Sequence, residues 1–109
     1  MCSSDLGSAS WLHTEWTASS VEKQMVQYDF KIVARWAADN PRPIFLGEFG
    51  AYSKADMNSR ARWTAFVARE AEKQGFSWGY WEFCSGFGAY SLEDSQWNEP
   101  LLKALIPAP

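Results

Sequence analysis

Along the first third of the chain the apolar positions recur as Val21, Met25, Tyr28, Ile32 and Trp36, at spacings of 4, 3, 4 and 4. That rhythm is one apolar stripe on a helix. Ser19 opens a Ser-Ser-Val-Glu run with Glu22 three residues on, a capping box. Pro41 and Pro43 in "ADNPRP" end the helix. The pattern then changes. Residues 43–48 read as a strand with Ile44, Phe45 and Leu46 apolar in succession, which fits a strand covered on both faces in a parallel sheet. "GAYSKAD" is a connection, and Asp56 is placed to N-cap a second helix. Trp63, Phe66, Val67 and Ala71 would form its buried face and Gly75 its end. Residues 77–83, "SWGYWEF", predict an aromatic strand, and "CSGFGAYSLEDSQ" a glycine-bearing loop. A short last helix over about 98–105 carries Leu101, Leu102 and Leu105, with Ile106 at its end. Residues 7–18 read as loop. Helix, strand, helix, strand, helix is the order of βα units on a parallel sheet, an α/β fold. Two strands do not make a stable sheet by themselves.

Length bounds this picture. A chain of 109 residues is one domain or a piece of one. The net charge is −3 and no basic run occurs, which argues against nucleic acid or an anionic membrane surface as partner. One histidine, His13, and two distant cysteines, Cys2 and Cys84, are too few for a Cys/His metal site. No segment approaches the ~20 apolar residues of a membrane helix, and no signal peptide is recognisable. The unusual quantity is 17% aromatic residues, with seven tryptophans. Aromatics fill cores, and they also make platforms for flat, weakly polar ligand faces. Residues 2–6, "CSSDL", match the translation of a common sequencing-adapter oligonucleotide and are expected to be non-native; a disordered native N-terminus is the alternative.

Both predicted strands deliver a carboxylate: Leu46-Gly47-Glu48-Phe49-Gly50 and Tyr80-Trp81-Glu82-Phe83. In α/β folds ligands bind at the carboxyl ends of the strands. The flanking glycines allow a tight turn beside Glu48. A glutamate held there can attack an electrophilic carbon or move a proton. It could equally be an acid that meets solvent as the strand ends.

Three stretches carry a resemblance: "RPIFLGEFGAY", "SRARWTAFVAREAEKQGFSWGYWEFCSGFGAY" and "WNEPLLKAL". Together they resemble the C-terminal part of a family 5 glycoside hydrolase, above all its cellulases, the endo-β-1,4-glucanases. The resemblance runs from about residue 7 to 107. It implies a TIM (β/α)₈ barrel, of which these strands are the seventh and eighth. Such barrels take ~250 residues, so residues 7–109 would be about the last third of a catalytic domain, and the polypeptide alone is expected to be inactive. It implies a retaining mechanism with no cofactor, acting on a β-glucan, with Glu48 as the nucleophile. Trp81 would be the floor of the sugar subsite beside the cleaved bond, and Glu82 a second substrate-binding residue. It also implies a cis peptide after Trp81, and a secreted or periplasmic parent enzyme.

The family's acid/base sits in an Asn-Glu-Pro motif after the fourth strand. Asn98-Glu99-Pro100 has that spelling, but it follows the eighth strand and opens the last helix, where Pro and an acid suit the first turn. It is expected to be a decoy, with the true acid/base absent from this chain. His13 reads as an ordinary surface residue, Cys84 as packing, and Trp63 and Trp78 as core. Lys54, Arg60 and Arg62 read as a solvated helix entrance, while Phe87 and Trp16 could reach sugars further along a cleft. The leading alternative is a non-catalytic carbohydrate-binding module using aromatic platforms. Such modules are usually β-sandwiches, against which the two well-patterned helices count. A small α/β interaction domain is the third reading.

Overall fold

The computed structural model describes residues 13–108. The expectation for residues 2–6 lies outside them. Helix α1 spans Ser20–Asp39, strand β1 Phe45–Phe49, helix α2 Met57–Lys73 and strand β2 Ser77–Tyr80. A hairpin of two short strands follows, β3 Tyr90–Ser91 and β4 Gln96–Trp97, and then helix α3, Glu99–Leu105. β1 and β2 pair in parallel, with α2 as the crossover between them. The expected α/β order therefore holds, and the β-sandwich of a binding module does not appear among the described residues.

The local signals act as their chemistry dictates. The Ser19 capping box is complete: the Glu22 amide donates to Ser19 Oγ at 3.3 Å, and the Ser19 amide donates to Glu22 Oε2 at 2.7 Å. Asp56 caps α2 by accepting from the Ser59 amide at 2.8 Å. Gly75 takes a φ of 75° just beyond α2, where an L side chain would be strained.

The core forms where α2 crosses the sheet. Phe49, Val67 and Ala68 are buried at its centre, with Val26, Phe30, Leu46, Trp63, Trp78, Tyr80 and Leu105 packed around them. The Phe49 ring meets Trp78 and Tyr80 edge-on, at centroid distances of 5.5 and 5.7 Å. α3 lies against α2, with Leu101 fully buried.

Four expectations need correction. The stripe from Val21 to Trp36 is exposed, because α1 turns Val26 and Phe30 to the core instead. Val26 is five residues past Val21, about 140° round the helix, so the two apolar faces diverge. Phe45 is also exposed, since successive strand residues point to opposite faces and only one face of β1 is covered here. β2 ends at Tyr80 and not at 83. The hairpin at 90–97 was expected to be loop; two-residue strands are too short to show alternation.

Candidate active site

β1 and β2 fall out of step at one place. Leu46 pairs with Trp78 and Phe49 with Tyr80, so β1 advances three residues while β2 advances two. The extra residue falls at Gly47–Glu48. A bulge of this kind re-aims side chains, and bulges are over-represented next to active sites. Here it lets Leu46 and Phe49, three apart, both reach the helix-covered core. Glu48 is left outside that core, exposed at the carboxyl end of its strand.

The neighbouring strand end is tied to the same place. The Trp81 amide donates to the Phe49 carbonyl at 2.8 Å. The Trp81–Glu82 peptide is cis, as the resemblance implies. Glu48 and Trp81 line one cleft of about 480 Å³, with Gly50 and Phe87 also in its wall. The Trp81 indole is 48% exposed, available as a platform.

Glu82 does not face the cleft in the same way. Its carboxylate accepts from three amides of its own loop: Cys84 at 3.1 Å, Ser85 at 2.8 Å and Phe87 at 3.0 Å. Burial raises its pKa, but the amides of Phe87, Ser85 and Cys84 outweigh that and hold it below the ordinary carboxylate value. The carboxylate is a brace for the loop that follows Trp81.

Arg60 departs most from the sequence reading. Expected at a solvated helix entrance, it is 4% exposed. Its Nε donates to the Ala51 carbonyl at 3.0 Å and its Nη2 to the Phe87 carbonyl at 3.1 Å. Tyr80 Oη donates to the same Phe87 oxygen at 2.7 Å. Burial pushes the Tyr80 phenol above its ordinary value, with the nearby Arg60 cation pulling the other way. A signal for Arg60 does exist in the sequence: it shares a helical face with Thr64, Val67, Ala68 and Ala71, all buried.

Other candidates are not brought into the cleft. Glu99 opens α3, exposed, and pairs with Lys103 at 3.6 Å. The Trp16 ring lies 5.8 Å from Phe66 on α2, and its backbone is held there by Ser59 and Arg62. His13 and Lys54 are exposed. Cys84 is a free thiol. Among the described residues no group of three or more His, Cys, Asp or Glu could hold a metal ion, and no helix is long and apolar enough to cross a membrane.

Parallel βα units that mount a carboxylate and an indole on adjacent strand ends fit a segment of an α/β barrel. Comparison with known proteins agrees. Residues 8–86 match the family model of cellulase (glycosyl hydrolase family 5), and the chain belongs to that family. It is 31% identical over 72 residues to endoglucanase H of Acetivibrio thermocellus, matching 66% of this chain and 8% of that protein. It is 28% identical over 112 residues to endoglucanase B of Clostridium cellulovorans, matching 95% of this chain and 25% of that protein. Among solved structures, endoglucanase Cel5A of Thermotoga maritima superposes with a TM-score of 0.85 at 50% identity, over 92% of this chain and 32% of that one. The same enzyme has been solved with cellobiose and with mannotriose. The chain thus spans about a third of the solved relative's length and a quarter or less of these two curated relatives. The solved relatives have the TIM barrel, and this chain covers part of it.

Proposed function

We propose that this chain is the nucleophile-bearing edge of a retaining endo-β-1,4-glucanase. The observation that carries the reading is the bulge at Gly47–Glu48, which leaves a carboxylate at the end of β1 in the same cleft as the Trp81 indole. A pyranose offers an apolar face of C–H groups that a flat indole matches with little entropy to lose. With the ring on Trp81, a Glu48 oxygen attacks C1. The bond between C1 and the glycosidic oxygen breaks, and a second carboxylic acid gives that oxygen its proton. Water then releases the sugar with its configuration retained. Family resemblance puts the second acid in an earlier βα unit, so the 109-residue chain alone turns over no glucan. The substrate class is a β-1,4-linked glucan; cellobiose and mannotriose are the sugars bound by the solved relative.

The test replaces Glu48 by Ala in the full-length enzyme that carries this segment. Turnover of an aryl β-cellobioside is expected to fall by about 10⁴-fold or more. Added azide, small enough to occupy the vacated space, is expected to restore turnover and give the α-glycosyl azide. Turnover near the wild-type rate in E48A would overturn the assignment.

A further inference from the structure

We propose that Arg60 is a positioning residue that sets the separation of Glu48 and Trp81; this rests on the reading of those two residues given above. Three observations carry it. Arg60 is the only lysine or arginine buried among the described residues. None of the ion pairs among those residues involves it. It donates to backbone carbonyls on two different loops: Ala51, three residues after Glu48, and Phe87, six after Trp81.

A buried cation facing carbonyls is an expensive way to fill space. Desolvating a guanidinium is unfavourable, and an apolar side chain of like volume is often as good for stability. What the guanidinium adds is geometry. Its planar fork fixes two directions at once, which Lys cannot do. The surrounding bonds converge on the same joint. The Ser53 amide donates to the Gly86 carbonyl at 2.8 Å, next to both Arg60 contacts. Phe87 is held at its carbonyl by Arg60 and Tyr80 and at its amide by Glu82. Arg60 thus ties the loop behind the nucleophile to the loop behind the platform.

The test uses the full-length enzyme and 2,4-dinitrophenyl 2-deoxy-2-fluoro-β-cellobioside. In this probe's reaction a Glu48 oxygen forms the bond to C1 and dinitrophenolate leaves with the electron pair. The fluorine slows hydrolysis of the adduct, so label accumulates. Stoichiometry counts correctly folded sites, and the rate constant per site reports alignment of carboxylate and sugar. Arg60→Lys is expected to label to near one per molecule but 10–100-fold more slowly, the scale of a misplacement of about 1 Å. In Arg60→Ala, millimolar guanidinium is expected to recover part of the rate; if that variant fails to fold, Arg60→Lys carries the test. A rate constant per labelled site in R60K within twofold of wild type overturns the proposal and leaves the nucleophile assignment standing. Wild-type label on a peptide lacking Glu48 overturns the assignment itself, and the positioning claim with it.

Discussion

The carbonyl oxygen of Trp81 occupies the space where a side chain on Gly50 would begin. A Cβ at position 50 would run into that oxygen, with the Trp81 carbonyl carbon at 3.1 Å and the Phe87 ring at 3.3 Å. The glycine two residues after the carboxylate is there for clearance, and what it clears is the backbone of Trp81. Gly50→Ala in the full-length enzyme is therefore expected to destabilise by about 2–4 kcal/mol, the upper range for overpacking against backbone. Denaturant midpoints measure this, and kcat/KM should fall in the same variant.

Trp81→Ala removes the proposed sugar platform. Burying an apolar side-chain surface is worth roughly 1.5–3 kcal/mol, so kcat/KM on a soluble β-glucan should drop about 10- to 150-fold. Unchanged kinetics would mean that the exposed indole is not a sugar platform.

Thr64 is fully buried, and its hydroxyl has no hydrogen-bond partner. Valine has nearly the same shape without the polar atom. Removing a buried unsatisfied hydroxyl recovers part of its desolvation cost, so Thr64→Val should stabilise by about 1 kcal/mol. A rise in the thermal midpoint with unchanged activity is the expected result.

Two carboxylates give a pH signature. The Ser19 hydroxyl and amide, followed by those of Thr17, hold the Glu22 pKa at about 2 against an ordinary 4.5. A depressed folded pKa means that the stabilisation is complete above the unfolded value and is lost as pH falls through the folded one. The stability difference between wild type and Glu22→Gln should be full at pH 5 and above, and shrink between pH 4.5 and about 2. Glu82 is shifted in the same direction, so Glu82→Gln should likewise converge with wild type in acid. Denaturation midpoints at several pH values give both comparisons.

Glu99→Gln is expected to leave kcat/KM within about twofold. Its pairing with Lys103 is an exposed helix contact of the kind worth only a few tenths of a kcal/mol. A large loss of activity would instead make its Asn-Glu-Pro setting functional.

Much of this molecule is legible as sequence because its signals are local. Ser19 and Glu22 spell out a reciprocal cap, Asp56 a second one, and the apolar run through Phe45 and Leu46 a strand, which spans Phe45–Phe49 where residues 43–48 were expected. Residue 48 could be picked out because an acid after an apolar run is anomalous. What escaped depends on partners distant in sequence. Arg60 meets carbonyls 9 and 27 positions away, which charge alone cannot announce. The apolar stripe of α1 misled because the helix carries two apolar faces and the regular one is exposed here. The bulge was invisible because register belongs to a pair of strands, and neither strand states it alone.

The cross-loop clamp also bears on engineering. The turn after the acid and the turn after the indole share one guanidinium and one amide–carbonyl bond. Swapping either turn alone from a homologue would separate these donors from the acceptors they were folded against. Residues 50–60 and 81–89 should be treated as a single cassette, transplanted together or left alone.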